Sequence, residues 1–331
     1  MMSFKQDGLE RADLLQVGVG FVGKWRGSSY VVERLIGRGA GGSVYLAQRD
    51  GERVAVKVSE HPTALSLEYD RLQRFATDGA GRAVGPRGIE LDDTSVGGVK
   101  RFFLAMEFID GVPVDEFIRL RGENWIALCL KKLVPLLEGL HRQGYIFGDV
   151  KPANILILHG TNELRLVDFG GVARIGQSVK EFTEAYDRAW WGLGSRRADL
   201  EYDLLACALL GLQLARPVSK ADAERLSRMR PADRAAWLRA HAKRAAETGD
   251  GSLTEVLAVL NGEVRDMNEF KGRLADSMGV RRPSLDGGAP LVRGRRQVTR
   301  KRRAWDRTDW GLFAAVTVFT ATLVTVLWLG A

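Results

Sequence analysis

Residues Gly37 to Val44, GRGAGGSV, fit the pattern G-x-G-x-x-G-x-V and lie between two runs rich in Val, Ile and Tyr. Few folds accommodate a strand, a glycine turn and a strand in this order. Glycines at such a turn let backbone amides close over phosphate groups without Cβ clashes. VAVK follows and ends at Lys57, whose ammonium can reach the same phosphates. A second match, Gly18, Gly20 and Gly23, has no clear helix after it, which a dinucleotide site requires, so it reads as an ordinary loop.

A lysine buried beside phosphates needs an anionic partner. Leu65, Glu68, Leu72 and Phe75 recur at helical spacing within a helix predicted over 64–76, which puts Glu68 on its apolar face. An unpaired carboxylate there is costly, which argues for a pair with Lys57. Asp50-Gly51 predicts a hairpin turn, RFFLAMEFI (101–109) a strand, and Asn124 to Gln143 a long amphipathic helix that Gly144 ends. NILIL and ELRLVDF predict a small hairpin, and most of 199–280 has helical spacing. Strands first and helices after predict an α+β chain with two lobes.

The stretch YIFGDVKPANILIL (145–158) holds Asp149, Lys151 and Asn154, and DFG follows at Asp168–Gly170. Asp149 can accept or orient a substrate hydroxyl, and Lys151 can neutralise a transferring phosphoryl group. Asn154 and Asp168 offer hard oxygen ligands suited to Mg²⁺. The order and spacing of the glycine loop, Lys57, Glu68, MEFIDG, GDVKPAN, DFG and Asp203 in EYDLLACALLGL resemble the Hanks-type serine/threonine protein kinases. The resemblance runs from about Tyr30 to Val280 and implies a bilobal kinase fold, ATP and Mg²⁺ (or Mn²⁺) as cofactors and a protein substrate. It implies that Gly37, Gly39, Gly42, Val44, Ala55, Lys57, Glu68 and Leu156 surround the nucleotide. Met106 would be the gatekeeper, with the backbone of Glu107 and Ile109 holding adenine. Phe147, Phe169, Leu72 and Asp203 would support the site.

Two residues depart from the family pattern. Phe147 stands where a His usually packs, and an aromatic there extends an apolar column through Phe169 and Leu72. Gly148 stands where an Arg usually pairs with a phosphorylated activation loop, so the main bidentate phosphate reader is missing. The resemblance thus implies transfer without dependence on loop phosphate at Ser178 or Thr183. A Gly-Asp pair also occurs in kinase-like enzymes acting on small molecules, but those typically carry a His where this chain has Lys151. After DFG, Asp187, Arg188 and Ala189 replace the usual Ala-Pro-Glu, and Trp190 and Trp191 follow, packing on the large lobe or shaping the substrate platform.

The net charge of +8 is local. Arg293 to Asp309 holds eight Lys/Arg and two Asp, leaving residues 1–292 at +2. Two readings apply to the basic run Arg293–Arg307: attraction to anionic lipid, worth roughly 1 kcal/mol per charge, or salt-sensitive binding of DNA. Trp310 to Gly330 is 21 uncharged, mostly apolar residues, long enough as a helix for the roughly 30 Å hydrocarbon core. The basic run before it places the rest in the cytoplasm by the positive-inside rule. The pattern resembles the YabT-like tail-anchored membrane kinases. Cys129 and Cys207 form no C-x-x-C, consistent with a reducing compartment. The expected organisation is an N-terminal extension (1–29), a kinase domain (30–280), a basic juxtamembrane linker (281–309) and a transmembrane helix (310–330). The competing readings are a silent membrane-tethered scaffold that binds ATP or DNA, and a small-molecule kinase of the same fold.

Overall fold

The computed structural model describes residues 15–39, 41–180, 182–248 and 251–279. The expected linker, with the whole of the basic run Arg293–Arg307, and the expected transmembrane helix lie outside the described residues. No helix of the described residues is long and apolar enough to cross a membrane.

The first lobe is built on a six-stranded antiparallel sheet with order β1-β2-β3-β4-β6-β5. The strands are β1 (Gly20–Val22), β2 (Ser29–Gly39), β3 (Gly42–Arg49), β4 (Glu52–Ser59), β5 (Gly88–Val96) and β6 (Val99–Glu107), with helix α1 (Pro62–Phe75) after β4. Asp50 and Gly51 both have positive φ, 53° and 82°, which is the twist a two-residue hairpin turn between β3 and β4 needs. The alternation of β3 and β4 sorts two faces. Tyr45, Ala47, Val54, Val56 and Val58 join Leu15, Phe21, Tyr30 and Phe103 in one buried cluster. In register, Val44 faces Lys57 and Lys57 faces Leu104, while Ala55 faces Met106. Val44, Ala55, Lys57 and Met106 therefore share the opposite face, since paired residues and residues two apart point the same way.

Gly20 opens a strand rather than a loop, so the lobe begins ahead of Tyr30. The turn after β1 is held by Asp92 Oδ2, which accepts from the backbone N–H of Trp25 and of Arg26 at 3.1 Å each. Strand β5 is another departure from a hydrophobic pattern. Its buried Glu90 and Asp93 are offset by Ser28 (2.8 Å) and Lys100 (2.8 Å).

The second lobe is helical. Its elements are β7 (Gly111–Pro113), α2 (Val114–Arg121), α3 (Ile126–His141), β8 (Tyr145–Ile146), β9 (Ile155–Leu158), β10 (Leu164–Leu166), β11 (Ala173–Arg174), α4 (Leu200–Ala215), α5 (Lys220–Ser227), α6 (Pro231–Thr248), α7 (Gly251–Leu260) and α8 (Met267–Gly279). Gly144 has φ 79° and donates its N–H to the His141 carbonyl, closing α3 as a left-handed cap. β9 and β10 pair antiparallel, Ile155 against Leu166. Helix α4 is apolar nearly all round, and twelve of its residues are buried. A helix with no solvent face belongs at a lobe's centre. Its start is capped by Asp199, whose side chain accepts from Tyr202 N–H at 3.0 Å.

Candidate active site

Lys57 leaves β4 on the site face and is 6% exposed. Its Nζ lies 2.7 Å from Glu68 Oε2 on α1 and 2.8 Å from Asp168 Oδ1. Burial works against the Lys57 charge, but the two carboxylates together hold the ammonium above the usual lysine range. Burial would likewise raise the Asp168 carboxyl; Lys57's charge and hydrogen bond outweigh it and hold Asp168 below the ordinary carboxylate range. Asp168's contribution to stability is thus present above its unfolded pKa near 4 and lost as pH falls through the lowered folded value. Lys57's is present below its unfolded pKa near 10.4 and lost only at still higher pH.

The second half of the site is the loop after β8. Asp149 Oδ2 accepts from Lys151 Nζ at 2.6 Å and from Asn154 Nδ2 at 2.9 Å. Asn154 Nδ2 also donates to the Asp149 carbonyl at 3.0 Å, which fixes the amide and leaves its oxygen as the remaining metal donor. Asp149 Oδ1 is buried and has no hydrogen-bond partner among the described residues. An unsatisfied carboxylate oxygen is costly and calls for an explanation, of which a substrate hydroxyl donor is the direct one.

Asp203 of α4 anchors this loop from beneath. Its Oδ2 accepts from Phe147 N–H (2.8 Å) and contacts His141 Nε2 (2.8 Å), and its Oδ1 accepts from Gly148 N–H (2.9 Å). Replacing Asp203 with Ala orphans two buried N–H groups. The expected loss is about 2–4 kcal/mol, read as a lower thermal midpoint together with slower transfer. Phe147 meets Phe169 edge-on, ring centroids 5.7 Å apart at 83°, and Leu72 is buried as they are. This aromatic contact extends the buried column from α1 into the catalytic loop.

Gly148 is where the structure changes the sequence reading most. Its φ is +79°, and a Cβ there would stand 2.6 Å from the Gly171 carbonyl oxygen. The position does more than lack a guanidinium: the backbone has no room for any side chain. Gly42 is similar, with φ +128° and an ideal Cβ 2.2 Å from the Val58 carbonyl. That close approach folds the glycine turn back over β4, next to Lys57. Gly37 and Gly39 meet no such barrier from the protein itself.

The nucleotide-facing residues line up behind the turn. Ala55, Met106 and Ile109 are buried, and Val44 and Leu156 half-buried. Glu107 N–H donates to the Arg87 carbonyl at 2.9 Å, which ties the strand end to the segment before β5. The Ile109 N–H has no hydrogen-bond partner among the described residues. A buried donor in an apolar slot beside a phosphate cradle fits a purine edge. Among the described residues no group of three His, Cys, Asp or Glu could hold a metal. Asn154 and Asp168 suit a Mg²⁺ that takes one or two protein oxygens and completes its shell with phosphates.

The segment after DFG is held by two residues whose roles the sequence did not reveal. Asp187, 1% exposed, accepts from Trp190 N–H, Arg196 Nε and Tyr202 OH at 2.8–3.1 Å. Arg188, 4% exposed, pairs bidentately with Asp199 at 2.7 and 2.6 Å and donates to the Ser195 and Arg197 carbonyls. Trp191 is buried, stacks on Trp237 of α6 at 6.2 Å and meets Trp190 edge-on. The tryptophans pack on the large lobe.

Comparison with known proteins agrees with this geometry. Residues 30–193 match the family model described as protein kinase domain. The serine/threonine-protein kinase YabT of Bacillus subtilis is 36% identical over 198 residues, 59% of this chain and 58% of that protein. PkaA of Streptomyces coelicolor is 31% identical over 46% of this chain and 31% of its own length, and Pkn1 of Myxococcus xanthus 30% over 57% and 29%. The chain thus spans less than two thirds of the length of each of these relatives. Among solved structures, vaccinia related kinase 3 has a TM-score of 0.55 at 12% identity, covering 80% of this chain and 91% of that one. The Cydia pomonella granulovirus kinase PK-1 scores 0.55 at 18% identity, covering 73% and 92%. Both speak to the fold alone. With the bilobal fold, the Lys57–Glu68–Asp168 set and the Asp149 loop in place, this chain belongs, through residues 30–193, to the protein kinase domain family.

Proposed function

We propose that the chain is a serine/threonine protein kinase that moves the γ-phosphoryl group of ATP to protein hydroxyls, its own included. One observation carries the reading furthest: Asp149 is locked by Lys151 and Asn154 through one oxygen while the other has no partner among the described residues. Phosphoryl transfer asks the protein for positioning and charge neutralisation rather than covalent chemistry. Asp149 orients the substrate hydroxyl and takes its proton. Lys151 stands 2.6 Å from Asp149, where it can neutralise charge on the group being passed. Lys57 grips the α- and β-phosphates, kept charged and in place by Glu68. Asn154 and Asp168 would hold Mg²⁺, which would supply neutralisation of the phosphate charge. Lys151-Pro152 supports a protein rather than a small-molecule acceptor.

The test is to incubate the chain with ATP and Mg²⁺ and identify the phosphorylated residue on the chain or a generic protein. Phosphoserine or phosphothreonine is expected. Transfer only to small alcohols, or none, favours the alternative readings. Because no side chain fits at Gly148, a second outcome follows. The double variant Ser178→Ala/Thr183→Ala is expected to retain transfer to a generic protein within about threefold; loss of all activity would show that loop phosphate is required.

The uncharged stretch 310–330 and the basic run 293–307 support anchoring at the cytoplasmic face of a membrane. Membrane fractionation of the full chain, with and without residues 310–330, tests this reading. Recovery of both forms in the same soluble fraction would refute it.

A further inference from the structure

Helix α1 presents Glu68, Arg71, Leu72 and Phe75 inward at helical spacing. Glu68 reaches Asp168 through Lys57. Arg71, one turn further on and half-buried, reaches the same loop directly: Nη1 donates to the Phe169 carbonyl at 3.1 Å and to the Gly170 carbonyl. The helix therefore holds the DFG loop at two points, by side chain at Asp168 and by backbone at residues 169 and 170.

The second hold matters because Asp168 is left-handed, with φ 61° and ψ 77°. A non-glycine residue in that region lies in a sparsely populated conformation and needs its surroundings to keep it there. Guanidinium bonds to carbonyls are charge-assisted, and one planar fork can serve adjacent acceptors. Arg71 also borders a cavity of about 430 Å³ that Arg74, Arg174 and Lys180 line too. None of these three bonds the DFG carbonyls. Arg74 is exposed and turns to Tyr145, 3.1 Å from its hydroxyl and 4.8 Å above its ring. Gly148, in the loop after β8, has no side chain to bond these carbonyls either.

We propose that Arg71 is the positioning residue that couples α1 to the DFG loop, setting the conformation in which Asp168 can hold a metal. This rests on the kinase reading, and it deepens it: the helix-to-loop connection that orders the site is a direct arginine-to-backbone clamp in this chain. Arg71 touches no reacting atom. It acts on Asp168 through the backbone of Phe169 and Gly170.

The test compares Arg71→Ala, Arg71→Lys and Arg74→Ala in the full chain, by amide hydrogen exchange and by phosphate transfer. In Arg71→Ala the amides of residues 169–171 are expected to exchange about tenfold faster, with the rest of the second lobe unchanged. Its half-saturating Mg²⁺ concentration should rise about tenfold while the KM for ATP stays within twofold. Arg71→Lys, which keeps the charge but not the fork, should fall between, and Arg74→Ala should match wild type. Exchange and Mg²⁺ dependence in Arg71→Ala equal to those in Arg74→Ala would overturn the proposal. So would faster exchange throughout both lobes with a lowered thermal midpoint, which marks a merely structural arginine. The exchange arm reads the clamp whether or not the chain transfers phosphate, so failure of the kinase reading appears separately, as absent transfer in wild type.

Discussion

Replacing Asp149 with Asn is expected to slow phosphate transfer about 10²–10⁴-fold, the range in which a positioned general base contributes. The substitution keeps the shape. Asn offers one oxygen where Asp149 Oδ2 now takes Lys151 and Asn154, and puts an amide nitrogen where the unpartnered Oδ1 is. A hydroxyl donor then meets a donor. Nothing at Lys57, Ile109 or the glycine turn changes, so nucleotide affinity should stay within about twofold. A split of this kind, kcat lost and KM for ATP kept, is the signature of an interaction made only in the transition state. Equal loss of nucleotide binding would show that Asp149 is a structural carboxylate.

The second large effect is expected at Gly148. Introducing the arginine that the general kinase pattern has at this place, by Gly148→Arg, would look like a repair. The structure predicts damage. The backbone must leave φ +79° or accept a strained left-handed residue, and the new Cβ must clear a carbonyl oxygen at 2.6 Å. Together these are expected to cost about 3 kcal/mol or more, lowering the thermal midpoint by about 10 °C for a domain of this size. Gly148 N–H also donates to Asp203, and Asp149 is its neighbour, so any shift displaces the base. A misplacement of about 1 Å costs about 10²-fold in rate. Gly148→Ala, which adds only the Cβ, should show much of the same loss. An arginine variant as stable and active as wild type would contradict the steric account and return the glycine to a simple absence.

Much of the site was readable in the chain because its chemistry demands particular residue types in a fixed order. Lys57, Asp149, Asn154 and Asp168 each supply an atom that no other residue type supplies as well. Glu68 was readable from its place on an apolar helix face. Strand β5 was not, because GIELDDTSV is acid-rich where a strand pattern calls for apolar residues. Its carboxylates are tolerated through Lys24, Ser28 and the turn after β1, all distant in sequence, and through Lys100 on the next strand. Gly18 and Gly23 lie in loop or turn as read, but the short strand Gly20–Val22 between them was missed, since the Asp92 that holds the turn after it lies on another strand. Arg71, Asp187 and Arg188 escaped because their partners are backbone carbonyls or charges brought close only by the fold. The positive φ of Gly148 has no sequence signal beyond glycine itself. What sequence showed as a missing arginine is, in the structure, a position that must stay bare.

The most direct test of the central claim is transfer of labelled phosphate from ATP and Mg²⁺ by the full chain, wild type against Asp149→Asn, with the label traced to serine or threonine. The account predicts label on the wild-type chain or an added protein, and at most about a hundredth as much with Asp149→Asn. Equal labelling of the two, or none by a wild-type chain that binds ATP, would contradict it.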